Sequence, residues 1–313
     1  EEDVVITISH SGYIKRTPVS GYRRQSRGGK GIIGATTRED DFIEHMFVAS
    51  THNHLMFFTD LGKCYMLKVH EIQEASRTAK GYSVANYLGK SKEEEITAIL
   101  NVKDFGEEHY ITMVTKQGVM KKTDLNNFEN TRKGGIIAIS LGKDDKLIDV
   151  QLTNGKQEIL IGTHGGMAIR FNESDIRSMG RTAAGVRAIK LDKKDYVVGL
   201  VAVKRAGTSI LVVTDKGYGK RSDLQDYRMT RRGGKGVITM KSSEKNGSLI
   251  SIREVVDNDD LMIITTKGIM IRQNVGEIRV MGRNTQGVRL IKLHDNDTIS
   301  AVASVVGDDA EVE

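Results

Sequence analysis

The sequence predicts an all-β chain closed into a ring of six four-stranded blades, and three observations carry that prediction. First, an apolar run that ends in a glycine turn and resumes with basic residues recurs six times, with turn glycines at Gly12, Gly62, Gly118, Gly166, Gly217 and Gly268. Second, another glycine follows each of these, at Gly31, Gly81, Gly135, Gly185, Gly236 and Gly287, 19 residues on in five repeats and 17 in the third. Third, every unit holds four strand-like segments, the content of one blade in rings that run to about 4–8 blades. Six such sheets strung in a line would leave long open edges, which closing the ring removes.

Taken in order, each repeat opens on a hairpin: VVITISHSGYIKRTPV, LMFFTDLGKCYMLKV, YITMVTKQGVMKKTD, ILIGTHGGMAIRF, ILVVTDKGYGKRSD and LMIITTKGIMIRQN. Val, Ile, Thr, Met and Tyr suit a pleated chain, and the glycine in each short turn supplies the positive φ it needs. A short polar segment follows, such as TDLNNFEN, SDLQDYRM or ESDIRSMG; Ser222 followed by Gln225 has the form of a capping box, so a single helical turn is expected there. Next come a basic loop and a third strand (IIGATT, YSVANYL, IIAISL, VRAIKL, VITMKS, VRLIKL). An acidic turn leads to the fourth strand (FIEHMFVAS, EITAILNV, LIDVQL, YVVGLVAV, LISIREVV, TISAVASVV). Residues 1–313 read as one domain, with blades near 4–50, 51–103, 104–152, 153–204, 205–256 and 257–306 and a short acidic tail at 307–313. The repeat orders the blades around the ring but does not order the strands inside a blade.

Composition narrows the function classes. At 38% hydrophobic and 28% charged, the chain is long enough to bury a large core, and no apolar run approaches the roughly eighteen residues of a membrane span. The opening EEDVVITIS is acidic and strand-like rather than a targeting segment, and suggests a domain cut from a longer chain. Cys64, alone of its kind, excludes a disulfide framework and a multi-cysteine zinc site, and fits a reducing, cytoplasmic setting. One Pro and no Trp argue against blades of the Trp-Asp type. Met46, Met56, Met66 and Met113 sit in strand patterns and are expected in the core.

With 47 Lys+Arg against 41 Asp+Glu, the placement of charge matters more than its sum. The loop before the third strand is basic in all six repeats. It holds Arg23, Arg24, Arg27 and Lys30; Arg77 and Lys80; Arg132 and Lys133; Arg177, Arg181 and Arg187; Arg228, Arg231, Arg232 and Lys235; and Arg279, Arg283 and Arg289. Equivalent residues in a closed ring share a radius and a height, so these cations are expected to form a circumferential belt. Acids gather instead at the turns after the third strand, as in Glu39-Asp40-Asp41 and Glu93-Glu94-Glu95. Basic residues just after the hairpin glycines (Lys15, Arg16, Lys68, Lys121, Lys122, Arg170, Lys220, Arg221, Arg272) are candidates to widen the belt. A belt with few aromatics suits a duplex backbone rather than stacked single strands.

The densest loop, Arg23–Gly31 (RRQSRGGKG), carries a family resemblance. The chain resembles, over essentially its whole length, the C-terminal domain of the DNA gyrase A subunit, whose seven-residue box is Gln, basic, Arg, Gly, Gly, basic, Gly. Gln25, Ser26, Arg27, Gly28, Gly29, Lys30 and Gly31 match six of the seven positions; Ser26 stands where a cation is expected, with Arg24 nearby to supply it. Thr230–Gly236 (TRRGGKG) also matches six, and Met-Gly-Arg-x-x-x-Gly-Val-Arg at 179–187 and 281–289 is similar to other blades of these domains. The resemblance implies a six-bladed β-pinwheel whose blades exchange strands and whose outer rim binds and bends double-stranded DNA. The partners it implies are the gyrase B subunit together with the N-terminal part of the chain's own subunit. ATP and Mg2+ would be used elsewhere in the full enzyme, with no cofactor, metal or catalytic residue in this domain.

Three other readings compete, one of them within the same class. A protein-interaction propeller would need apolar or mixed-charge patches rather than a basic rim. The related domain of topoisomerase IV has degraded or absent boxes, against the near-complete one here. An enzyme reading finds no nucleophile–base pair and no repeated carboxylate pair. Lys30 and Lys235 precede glycine, which is not the phosphate-binding frame of a Walker loop. None of the nine tyrosines stands in the Arg-Tyr-Thr setting of the gyrase cleavage site, and His52 with His54 lacks a third ligand.

Overall fold

Each hairpin is closed by the same small device. The structure, a computed structural model, describes residues 1–19, 41–106, 108–294 and 296–305. Its turn glycines all take the left-handed region, with φ from 81° at Gly62 to 87° at Gly166. Three residues before each glycine stands Ser9, Thr59, Thr115, Thr163, Thr214 or Thr265. Its hydroxyl accepts the amide four residues on, at 3.1–3.3 Å, which ties off the turn.

In chain order the strands are β1 (Asp3–Ser9), β2 (Tyr13–Pro18), β3 (Ile43–Ser50), β4 (His54–Thr59), β5 (Lys63–Lys68), β6 (Tyr82–Ser83), β7 (Ile96–Val102), β8 (Tyr110–Thr115), β9 (Val119–Asp124), β10 (Ile136–Ile137), β11 (Leu147–Thr153) and β12 (Glu158–Thr163). There follow β13 (Met167–Asn172), β14 (Val186–Arg187), β15 (Val197–Ala202), β16 (Ser209–Thr214), β17 (Tyr218–Asp223), β18 (Met229–Thr230), β19 (Val237–Ile238), β20 (Leu249–Val255), β21 (Asp260–Thr265), β22 (Met270–Asn274), β23 (Val288–Arg289) and β24 (Ile299–Val305). Among the described residues one short α-helix, α1 (Val84–Leu88), interrupts them.

The sheets read β3-β1-β2-β6, β7-β4-β5-β10, β11-β8-β9-β14, β15-β12-β13-β18 with β19 also on β13, β20-β16-β17-β23, and β24-β21-β22. Thus the fourth strand of each repeat is innermost, and in the second to sixth repeats the third segment leaves its own repeat to join the hairpin of the one before, while that of the first lies outside the described residues. Residues of all six innermost strands line an axial cavity of ≈ 610 Å³. The core lies between blades: Phe57 and Phe58 point to opposite faces of β4, Phe57 packing with Ile6 and Leu67, Phe58 with Ile111 and Met113.

The exchange explains the second glycines. A Cβ on Gly81, Gly185 or Gly236 would lie 2.6, 2.6 or 2.3 Å from the carbonyl oxygen of Ile14, Met120 or Ala168 on the preceding hairpin. In return, each turn-glycine carbonyl accepts from the incoming segment: Gly12 from Val84, Gly62 from Ala138, Gly118 from Ala188, Gly166 from Thr239 and Gly217 from Leu290. The two glycines of the sequence period therefore meet across adjacent repeats.

Three expectations need correction. The described third strands are two-residue pairings, because they start beside the first residues of the partner strand (Ile137 opposite Lys63) and run straight into its turn. In the second repeat the segment turns helical instead, as α1, with Val84 and Leu88 buried and Gly89 ending it at φ 60°. A helical turn does follow the second to sixth hairpins, as a 3-10 turn at 69–71, 125–128, 173–175, 224–226 or 275–277. In the fifth repeat, however, its cap is Asp223, whose side chain accepts from the Gln225 amide at 2.8 Å; Ser222 is buried in β17. Met56 and Met113 are fully buried, as is Cys64, whose thiol burial pushes above its ordinary range; Met46 and Met66 are half-buried.

Candidate nucleic-acid interface

Every described basic loop leads into the outermost strand of a sheet, at β6, β10, β14, β19 or β23, the edge farthest from the axis. The loop cations therefore share the outer rim. Lys80, Arg132, Lys133, Arg177, Arg187, Arg228, Arg231, Arg232, Lys235, Arg279 and Arg289 are exposed, while Arg77, Arg181 and Arg283 are half-buried. The box residues Gln25, Arg27, Gly28, Gly29, Lys30 and Gly31, with Arg23, Arg24 and Ser26, lie outside the described residues.

Several rim cations are held in place. Lys80 sits 3.7 Å from the centre of the Tyr13 ring, and Arg289 reaches the Tyr218 hydroxyl at 3.1 Å. Lys235 meets Asp192 at 3.4 Å, an exposed pair of little energetic weight. More telling, successive loops are stapled together by guanidinium groups. Arg181 donates to the Ile137 carbonyl at 2.9 Å, Arg232 to Arg187 at 3.0 Å and Asp175 at 3.1 Å, and Arg283 to Ile238 at 2.8 Å and Asp226 at 3.0 Å. Each staple binds the exit of the preceding loop, so the third to sixth repeats carry one connected series. Pairing each Arg with the neighbouring repeat is a role the sequence did not reveal.

The residues proposed to widen the belt mostly do not. Lys15, Lys121, Lys122, Arg170, Lys220 and Arg221 are buried, and Arg16 is half-buried. They face the next repeat, where Lys122, Arg170 and Arg221 add a second donor to the carbonyls of its 3-10 turn at Glu173, Leu224 and Val275, which already accept the turn's closing amide, and Arg16 and Arg170 bond the carbonyls that end the turn, at Ile72 and Tyr227. Arg16 donates to Ile72 at 2.6 Å, Arg170 to Leu224 at 2.9 Å and Tyr227 at 2.8 Å, and Arg221 to Val275 at 3.0 Å. Lys122 approaches the Glu173 carbonyl at 3.4 Å. Their stems run through apolar surface and only the heads find partners, which an alternating charge pattern cannot distinguish from exposure. Lys68 and Arg272 are exposed.

The acids have a local reason for their segregation. The Asp41 carboxylate accepts from the Ser11 amide at 3.0 Å, Asp145 from Gln117 at 2.9 Å, Asp195 from Gly165 at 2.7 Å and Asp297 from Lys267 at 3.2 Å, so each caps the hairpin turn of its own repeat. In the second and fifth repeats the direction reverses, with Asp60 and Asp215 in the hairpin turn accepting from Glu95 and Ser248, both at 2.9 Å. Burial opposes ionisation of Asp41, Asp60 and Asp297, but these bonds, with Lys146 beside Asp60, outweigh it and hold all three below the ordinary range. These carboxylates are thereby committed to turn caps.

The family model described as "DNA gyrase C-terminal domain, beta-propeller" matches six segments, 3–50, 53–103, 109–154, 157–204, 208–255 and 259–305. The DNA gyrase A subunit of Staphylococcus epidermidis (strain ATCC 12228) is 47% identical over 311 residues, 99% of this chain and 35% of that protein. That of Staphylococcus aureus (strain NCTC 8325) is 47% identical over 315 residues, 100% of this chain and 35% of that protein. The chain thus spans about a third of the length of these relatives. Among solved structures, the C-terminal domain of DNA topoisomerase IV aligns with a TM-score of 0.86 at 29% identity, covering 97% of this chain and 93% of that one. A DNA gyrase A C-terminal domain aligns at 0.73 and 26% identity, covering 97% of this chain and all of the other.

Proposed function

Because the chain belongs to the DNA gyrase C-terminal domain family of beta-propellers, we propose that it is the part of a gyrase A subunit that binds a DNA duplex around its outer rim, bends it and wraps it. The observation that carries this reading is the line of exposed cations at the outer ends of the blades, tied loop to loop by Arg181, Arg232 and Arg283. Cations along a rim neutralise phosphates and release counterions, which gives sequence-tolerant, salt-steep binding. Bending a duplex around a small disc costs several kcal/mol, and a continuous line of contacts offsets it. The wrap presents a neighbouring DNA segment to the cleavage gate with one handedness, so that the full enzyme introduces negative supercoils.

On this reading the chain itself performs no chemistry. Cleavage, ATP and Mg2+ belong to its partners in a cytoplasmic enzyme, the gyrase B subunit together with the N-terminal part of the chain's own subunit. Among the described residues no helix is long and apolar enough to cross a membrane. A second reading, the corresponding domain of topoisomerase IV, is favoured by the higher TM-score to that structure; the six-of-seven box at 25–31 favours gyrase.

Ligation of nicked circles with and without the domain tests the proposal. A shift in the topoisomer distribution that depends on the domain supports wrapping. Bending without a shift favours the second reading. Affinity that stays flat between low and moderate salt would refute the backbone belt altogether.

A further inference from the structure

Three lysines are buried where the fold does not require a charge. Counting three residues past each turn glycine gives Lys15, Tyr65, Lys121, Ile169, Lys220 and Ile271, so lysine alternates with an uncharged residue around the ring. The first five positions lie under the described rim loop of the next repeat. Under the loops at 132–135 and 228–236, Tyr65 and Ile169 pack against glycines Gly135 and Gly234. Those loops carry adjacent glycines, Gly134-Gly135 and Gly233-Gly234; the loops above the lysines (SRTAKG, GRTAAG, GRNTQG) do not.

Lacking the glycine pair, these loops turn carbonyls inward, and the ammonium groups meet them. Lys15 donates to the carbonyls of Ser76 (3.1 Å), Arg77 and Ala79 (2.8 Å). Lys121 donates to Gly180 (3.2 Å), Arg181 and Ala138. Lys220 donates to Gly282 (3.0 Å), Arg283 and Thr285 (3.3 Å), and to the Thr285 hydroxyl (3.0 Å). In all three, one acceptor is the carbonyl of the same rim arginine: Arg77, Arg181 or Arg283.

Among the described belt residues these are the half-buried arginines, whereas Arg232, at the same loop position above Ile169, is exposed. The main chain of Arg181 and Arg283 is gripped from below by an ammonium, and the guanidinium is gripped sideways by the preceding loop. Burial, and then the neighbouring arginine, lower Lys121 and Lys220 to about 8. The clamp therefore places like charges together at a cost that Tyr65 and Ile169 avoid while still docking a neighbouring strand.

We infer that Lys15, Lys121 and Lys220 are positioning residues, each fixing the main chain of the next repeat's arginine (Arg77, Arg181 or Arg283) so that its guanidinium group is preset to meet a DNA phosphate. The inference rests on the duplex-binding reading above. It makes alternate rim loops preset contacts.

The experiment is a double-mutant cycle read on the salt dependence of binding to a mixed-sequence duplex, using R283A, K220M and K220M/R283A. Each single change is expected to lower the slope of log affinity against log salt by about one, the share of one phosphate contact. The double is expected to lower it no further, since the displaced arginine is already lost. Additive losses, or an unchanged slope in K220M, would overturn the inference and leave the lysine a packing residue. Should K220M fail to fold, the cycle runs at Lys121 and Arg181. An unchanged slope in R283A overturns the inference without any lysine variant. A flat slope in the parent chain, before any substitution, would instead bring down the duplex-binding reading itself.

Discussion

Gly236 offers a direct measure of how strongly the strand exchange holds the ring. At φ 77°, an added Cβ would lie 2.3 Å from the Ala168 carbonyl oxygen and 2.7 Å from its carbon, both backbone atoms that cannot swing aside. Gly134 is a built-in control, with φ 93° and nothing within 4 Å of the same added atom. Gly134→Ala therefore pays only for the left-handed backbone, about 1–2 kcal/mol. Gly236→Ala carries that strain and must also push β19 off β13, loosening the Thr239 and Met240 amides from the Gly166 carbonyl. Two weakened bonds at about 1 kcal/mol each bring the expected loss to roughly 3–4 kcal/mol. Urea unfolding of both variants reads the difference, which should be about 2 kcal/mol. Equal losses would show that close approach at the second glycine contributes nothing and that φ alone explains the period.

Other expectations are open to measurement. Arg231→Ala with Arg232→Ala should weaken duplex binding, whereas Lys92→Ala or Lys193→Ala, beside the acidic turns, should leave it unchanged in the same titration; equal losses would contradict the rim belt. Changing Arg24, Arg27 and Lys30 to Ala should reduce plain duplex binding only partly but strongly reduce bending, and in a full enzyme should abolish negative supercoiling while relaxation survives. Supercoiling at the parent rate would refute an anchoring role for the box. Asp149, on β11, is pushed up to about 6 by burial, against the Val150 and Leu200 amides and the charge of Arg253. A carboxyl whose folded value lies above its unfolded one loses its stabilising contribution as pH rises through about 6. Asp149→Asn should therefore stabilise the ring at pH 8 by on the order of 2 kcal/mol, and not at pH 4; a gain that is the same at both values would refute the assignment.

Much of the fold was legible because the sequence repeats its backbone requirements. A positive φ at Gly62, Gly118 or Gly217 has one economical residue, and spacing alone located it. The hydroxyl three residues before each turn glycine was equally visible as Ser9 and five threonines, a signal that goes with the glycine once the turn is known. Strand order was not legible, because a 19-residue offset is the same whether Gly81 docks on its own hairpin or on Ile14 of the previous one. Nor was the burial of Lys121 or Arg170. Each sits among alternating residues like an exposed cation, and the partners that bury it include carbonyls some fifty to sixty residues away that carry no sequence signature.

The same exchange joins architecture to the proposed wrap. Each described rim loop belongs by chain to one repeat and by pairing to the one before, so displacing a loop means unpairing an outer strand such as β10 or β23. Arg181, Arg232 and Arg283 extend that coupling sideways, since each binds the exit of the loop it follows. A bent duplex pulls outward on whichever contacts hold it, and a cation on an independent surface loop would yield before the DNA did. Here the pull on one arginine is shared with the neighbouring loop and with the blade beneath it. Rigidity of this kind reduces the ordering cost of binding, leaving more of each phosphate contact to offset the work of bending.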